Sequence, residues 1–101
     1  MIHDIVIQEE SIDDIRQGNA FYSSKDASLG QYFIECIYSD IESLLKQGGI
    51  HQKHFGFHRK LSKVFPYAIY YLVSDQIVYV SAILPMKRSP KWIRASLTKR
   101  H

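Results

Sequence analysis

The sequence predicts an α+β domain with the element order β-α-α-β-β-β and a short basic tail or helix at its C-terminal end. Apolar residues recur at helical spacing in the first half of the chain and in strand-like runs in the second half. The 101 residues suffice for one compact domain, 1–101. Because the helices precede a three-strand meander, we expect a small, mostly antiparallel sheet packed by two N-terminal helices.

The first two elements are a strand and a helix. Residues 3–8 form a short strand pattern bounded by charge, and residues 11–24 form a helix pattern. Ser11 is a suitable N-cap residue for this helix. Gly18, followed by Asn19, is expected to weaken its middle.

The second helix has the clearest pattern in the chain. Ser28 and Gln31 fit a capping box at its start, and Gly48-Gly49 ends it. Asp40 is expected at the edge of the apolar stripe. The stripe consists of Leu29, Phe33, Cys36, Ile37, Ile41, Leu44 and Leu45.

Strand patterns replace helical ones after residue 50. Three strands are predicted, at 56–62, 67–73 and 77–84, with a tight turn at 74–76 between the last two. Strands 67–73 and 77–84 are apolar on both faces, so we expect them to be central and covered. Residues 91–98 favour a short basic helix that carries Trp92, which we interpret as a packing anchor for the tail.

Charge is divided unevenly along the chain. Residues 1–50 carry nine acidic and three basic side chains, a net charge of −6, whereas residues 51–101 carry one acidic and ten basic side chains, a net charge of +9. Such segregation favours an anionic partner for the second half over a merely solvated basic face.

The composition also indicates a compartment. Cys36 is the only cysteine, so no internal disulfide can form, and its place on the apolar stripe favours a core role over a reactive one. Neither a secretory leader nor an apolar run of membrane-spanning length is evident. We therefore expect a cytoplasmic protein without a cofactor.

The second half resembles the RelE/ParE toxin superfamily. The resemblance rests on residues 59–71, which include Phe65-Pro66-Tyr67 and Tyr70-Tyr71, on the apolar strand 77–84, and on the basic loop 87–92 that ends in Trp92. Leu29-Gly30 followed by Phe33 is also similar to the family, so the resemblance spans nearly the whole chain.

This resemblance implies the toxin of a bacterial type II toxin–antitoxin system. A cognate antitoxin would neutralise it, and the pair would reach operator DNA only through the antitoxin. ParE-like members inhibit DNA gyrase, whereas RelE-like members cut mRNA on the ribosome, and the fold does not choose between them. A member that has lost toxicity but still binds its partner is a third possibility.

A ParE-like toxin needs a binding surface, and the basic C-terminal region offers one. Cations mixed with an aromatic residue make a plausible hot spot for a protein partner, although the same surface could seat an acidic antitoxin. The candidate target-binding residues are Arg59, Lys87, Arg88, Lys91, Trp92 and Arg94.

A RelE-like nuclease needs phosphate-binding cations and a proton-transfer group. The candidates are Arg59, Lys60 and Arg88 around the phosphate, with His58 as the acid or base. Trp92 cannot transfer a proton where the family places a titratable group, and His101 is expected to be mobile. Strand alternation also puts Arg59 on the face opposite His58 and Lys60.

Three histidines have a spacing that would align them on a helix. His51, His54 and His58 are flanked by glycines, however, and no carboxylate or cysteine lies nearby in the sequence. We therefore expect exposed loop histidines and no metal site.

Overall fold

The computed structural model describes residues 1–100. The helices are α1 (Glu9–Ser23), α2 (Ala27–Glu42), α3 (Leu44–Gln47) and α4 (Pro90–Arg100), and none in this range is long and apolar enough to cross a membrane. The strands are β1 (Asp4–Ile7), β2 (Lys53–His54), β3 (Phe57–Leu61), β4 (Tyr67–Ser74) and β5 (Ile77–Pro85).

These strands form one mixed sheet of order β1-β5-β4-β3-β2, in which only the β1–β5 pair is parallel. The predicted α+β class and the mostly antiparallel sheet are confirmed. The sequence did not predict the two-residue strand β2 or the parallel pairing of β1.

Both faces of the sheet are covered, as the apolar pattern of β4 and β5 predicts. Helices α1 and α2 pack on one face, where Phe33, Ile37 and Tyr71 have no exposed surface. Helix α4 packs on the other face through Ile93 and Leu97, against Phe57, Tyr70 and the short side chains of Ala68 and Ala82. Hence α4 is a true structural element and not a solvated tail.

The start of α1 differs from the prediction. The helix begins at Glu9, and Ser11 is not its cap: the buried Ser11 hydroxyl donates to the Val80 carbonyl of β5 at 2.9 Å. Helix α1 continues through Gly18, where a side chain would clash with α2. A Cβ on Gly18 would lie 2.4 Å from the Phe33 ring, so glycine allows α1 and α2 to approach closely.

The predicted capping box of α2 is wrong as well. Asp26 is the N-cap, and its carboxylate accepts from the Ser28 backbone N–H at 2.8 Å and from the Ser28 hydroxyl at 2.6 Å. The long apolar helix is divided at Ser43 into α2 and α3. Asp40 is buried, and its carboxylate accepts from the Ser62 hydroxyl at 2.7 Å, which ties α2 to the β3–β4 loop.

A bulge in β5 lies next to the point where β1 stops pairing with it. Tyr70 pairs with Ala82 and Tyr71 with Val80, so Ser81 is the extra residue. Strand β1 pairs only as far as Val80. The rest of the β5 edge therefore faces α1 and α4 instead of another strand, and the candidate site lies there.

Candidate partner-binding surface

The six predicted target-binding residues lie on or beside α4, and Lys87 and Arg88 among them also face α1 across the edge of β5. We call them the basic band. Lys87 and Arg88 lie in the β5–α4 loop, Lys91, Trp92 and Arg94 on α4, and Arg59 on β3. Residues 1–100 contain two salt bridges, Arg16–Asp13 and Arg100–Asp14, and neither uses a band residue. The band therefore keeps its positive charge available to a partner.

A groove of about 360 Å³ runs between α1 and the β5–α4 loop. Its floor comes from the unpaired end of β5, since β1 has already ended there. Aromatic rings and basic side chains share its lining: Phe21, Tyr22, Tyr67 and Trp92 with Lys87 and Arg88. An apolar side chain flanked by negative charge fits this combination.

Phe21 holds two cations at one wall of the groove. The Lys25 ammonium lies 4.9 Å and the Lys87 ammonium 5.4 Å from the centre of its ring. Each attraction is worth about 0.5–1 kcal/mol at an exposed site. The ring is 45% exposed, so Phe21 is both a positioning residue for Lys87 and a contact surface.

Trp92 does not anchor α4, contrary to our expectation. Its side chain is half exposed in the groove wall, and the Arg88 guanidinium lies 4.6 Å from its ring centre. Ile93 and Leu97 anchor the helix instead. Trp92 and Arg88 thus present a stacked aromatic–cation pair at the surface.

The far side of α4 carries a second such pair. The Arg94 guanidinium lies 5.2 Å from the ring centre of Phe55, at the tip of the β2–β3 hairpin. Phe55 has a φ of 57°, a left-handed conformation that bulky side chains avoid, and Gly56 follows with a φ of 86°. The two-residue turn displays the ring at a conformational cost of about 1–3 kcal/mol.

A buried ion pair holds the C-terminal end of α4 against α1. The Arg100 guanidinium bonds both oxygens of the Asp14 carboxylate, one of them at 3.0 Å, and the carboxylate also accepts from the Ile83 N–H at 2.9 Å. The Arg100 side chain is 19% and the Asp14 side chain 6% exposed. This clamp closes the unpaired β5 edge and fixes the position of the helix that carries the band.

The titratable side chains that line the groove from residues 1–100 are one carboxylate, two tyrosines and two cations. Asp14, its only carboxylate among residues 1–100, is paired with Arg100. Burial raises the pKa of Tyr22, and burial together with Tyr22 and Asp14 raises that of Tyr67. On the α4 face, burial raises the pKa of Tyr70 although the Arg59 side chain bonds its hydroxyl. These phenols stay neutral and can act only as hydrogen-bonding groups.

The four candidates for a nuclease centre do not converge. His58 stacks on Tyr71, which belongs to the core on the α1–α2 face, whereas Arg59 bonds Tyr70 on the α4 face. Lys60 lies with His58, and Arg88 lies at the groove. His101, the other proton-transfer candidate, lies outside the described residues.

The three histidines are half-buried, not the exposed loop residues we predicted. His51 bonds the Tyr71 hydroxyl and His58 bonds the His51 carbonyl. Among residues 1–100, no group of histidine, cysteine and carboxylate side chains is arranged to hold a metal ion.

Four contributors to this surface were missed from the sequence: Phe21, Lys25, Phe55 and the Asp14–Arg100 clamp. Phe21 directly precedes Tyr22, whose ring packs against the core. Neighbouring residues on a helix point in different directions, so Phe21 could have been recognised from the sequence as an exposed aromatic residue. The clamp joins residues 86 positions apart and gives no local signal.

The comparisons with known proteins address the fold. No family model and no curated protein matches this chain. A solved structure described as "Chromosomal ParDE TA system from P. aeruginosa" matches with a TM-score of 0.74 at 11% identity, over 85% of this chain and 98% of that chain. Identity this low shows the fold alone. This chain therefore shares the fold of that solved chain, which is the fold that the sequence resemblance implied.

Proposed function

We propose that this chain is the toxin of a type II toxin–antitoxin system, that a cognate antitoxin neutralises it, and that it stops growth by binding DNA gyrase. The observation that carries the proposal is the basic band beside an aromatic groove, on a fold shared with a solved toxin–antitoxin structure. Gyrase would be bound, not chemically altered.

The chemistry of the surface supports binding over catalysis. Its cations are solvent-facing and stacked on aromatic rings, as in Arg88–Trp92 and Arg94–Phe55. Arginine and tryptophan are the side chains most enriched where a few contacts dominate a protein interface. The one carboxylate that residues 1–100 place in the groove is already paired, and burial raises the pKa of the nearby phenols, so they stay neutral.

An antitoxin segment with negative charge and an apolar anchor would suit the same groove. Lys87 and Arg88 at the groove would steer such a segment, and the ring of Phe21 would contact its apolar side chain. A single surface could then serve both partners, so that antitoxin binding would exclude the target.

The first experiment is induction of the chain in a bacterial host with and without the protein encoded beside it. We expect growth arrest by the chain alone and relief when both are expressed. The variant Lys87→Ala/Arg88→Ala/Trp92→Ala should raise colony survival by at least about tenfold, since loss of a hot spot of about 2 kcal/mol or more weakens binding by more than tenfold.

The matched control is Lys46→Ala/Lys63→Ala, which also removes two positive charges but at exposed positions away from α4. It should arrest growth as the wild type does. A folded, well-expressed triple variant that still arrests growth would exclude the band as the target surface. Absence of arrest by the wild-type chain would refute the toxin assignment and leave a partner-binding protein.

The gyrase step has its own assay. Purified chain should inhibit supercoiling of relaxed plasmid by gyrase, and the triple variant should need at least about tenfold more protein for the same inhibition. Full supercoiling at every wild-type concentration would refute gyrase as the target. The alternative, an mRNA endonuclease that uses Arg59, Lys60, His58 and Arg88 together, is disfavoured because Arg59 lies on the opposite face from His58 and Lys60.

A further inference from the structure

Two histidines contact Tyr71, and Lys60 lies two residues beyond one of them on β3, on the sheet face opposite α4. The His58 ring stacks on the Tyr71 ring with centroids 5.0 Å apart, and the His51 ring meets it edge-on at 5.6 Å. Lys60 follows on the same face of β3, and its ammonium donates to the Gln47 side-chain carbonyl at 3.3 Å. The basic band contains none of these residues, so the cluster is a separate feature.

Hydrogen bonds fix which ring nitrogens remain available. The His58 Nδ1 lies 2.6 Å from the His51 carbonyl oxygen, which can only accept, so Nδ1 carries the proton and Nε2 is left for a ligand. The Tyr71 hydroxyl accepts from the Gly49 N–H at 3.0 Å and contacts the His51 Nδ1 at 2.5 Å. Nε2 is again the nitrogen not engaged by Tyr71.

The surroundings of His51 all disfavour the charged form of its ring. Burial, then Lys60, then His58 lower the pKa of His51, and no carboxylate acts against them. Tyr71 cannot supply a compensating charge, because burial raises its pKa despite its bonds from Gly49 and His51. Within residues 1–100, these three potential cations have no negative partner, and an anion placed among them would gain from all three.

We infer that His51, His58 and Lys60 form a binding site for a phosphate group. The three donors are the Lys60 ammonium and the two Nε2 atoms, once the histidines are protonated. A phosphate offers at least three oxygens to them, whereas a carboxylate offers two, and charge-assisted bonds of this kind are the strong ones. The ligand is either free phosphate or the phosphoryl group of a small molecule, since both present the same oxygens.

The inference does not rest on the proposed function, because the site and the basic band share no residue. The experiment is an NMR titration of the histidine ring protons against pH, in inorganic phosphate and in chloride at equal ionic strength. His51→Gln and His58→Gln assign the signals. We expect both titration midpoints to rise by about 1 pH unit in phosphate, because phosphate binds the protonated rings about tenfold more tightly.

Lys60→Met should remove most of this rise, and Lys60→Arg should keep it. The matched control, Lys99→Met, removes an exposed charge from α4 and should leave the rise intact. Equal midpoints in phosphate and chloride, or an equal loss in Lys60→Met and Lys99→Met, would overturn the site. A nucleoside 5′-monophosphate identifies the source: a lower half-saturating concentration than that of inorganic phosphate indicates a phosphorylated molecule, and an equal one indicates phosphate itself.

Discussion

Replacing Arg100 with methionine tests whether the clamp at the end of α4 stabilises the fold. The change keeps the aliphatic part of the side chain but leaves the Asp14 carboxylate, 6% exposed, without its cation. Loss of one partner from a buried pair costs about 3–5 kcal/mol. The Ile83 N–H still donates to the carboxylate, and water can enter beside the 19% exposed Arg100 position, so we expect a smaller loss than that range, about 2–3 kcal/mol.

Urea unfolding, followed by circular dichroism and by Trp92 fluorescence, measures this loss. In thermal unfolding, a domain of this size loses about 4–8 °C in Tm for each kcal/mol of stability lost, so the melting temperature should fall by roughly 10–20 °C. Lys99→Met is the matched control, because it removes a neighbouring exposed cation and should stay within about 0.5 kcal/mol of the wild type.

The double-mutant cycle separates pairing from packing. Asp14→Asn preserves an acceptor for the Ile83 N–H, and Asp14→Asn/Arg100→Met removes both charges. The double variant should lose less stability than the two single variants lose together, and the difference, the coupling energy, should be about 1.5 kcal/mol or more. Additive losses, or equal stability of Arg100→Met and Lys99→Met, would refute the reasoning.

Three further predictions concern the helix contact, the hairpin turn and the loop histidine. Gly18→Ala should destabilise the fold by about 1–3 kcal/mol in urea unfolding because its Cβ would clash with Phe33, whereas the exposed neighbour Gln17→Ala should be neutral; equal stability of the two would contradict the close helix contact. Gln76, in the β4–β5 turn, has a φ of 65°, which glycine adopts without steric cost, so Gln76→Gly should raise the free energy of unfolding by up to about 1 kcal/mol and raise the melting temperature with it. A lower melting temperature would show that the turn is not strained. The pKa of His51 is lowered in the folded chain, so as the pH falls the unfolded chain is protonated at His51 before the folded chain is. The free energy of unfolding should therefore decrease as the pH drops below about 6.5, and it should decrease less steeply in His51→Gln. Parallel pH profiles for the two proteins would exclude this linkage.

Local pattern was enough to predict the central parts of the fold. The apolar runs of β4 and β5 require cover on both faces, and the structure supplies α1 and α2 on one side and α4 on the other. The basic residues that follow β5 were visible as charge alone. Their exposure in the β5–α4 loop and on α4 agrees with that charge pattern.

Features that depend on distant residues were not predictable in this way. β1 pairs in parallel with β5, about 70 residues later in the chain, and no local pattern encodes that choice. Ser11 has the side chain of a helix cap, but it bonds Val80 because β1 ends there. Phe21 and Asp14 belong to the site only because α1 packs beside the unpaired end of β5.

The most direct test of the central claim is pulse-labelling after induction of the chain without an antitoxin, with thymidine and methionine incorporation followed together. Thymidine incorporation should fall first while methionine incorporation continues, since gyrase inhibition stops DNA synthesis before translation. A fall in methionine incorporation first would contradict it and place the target at the ribosome.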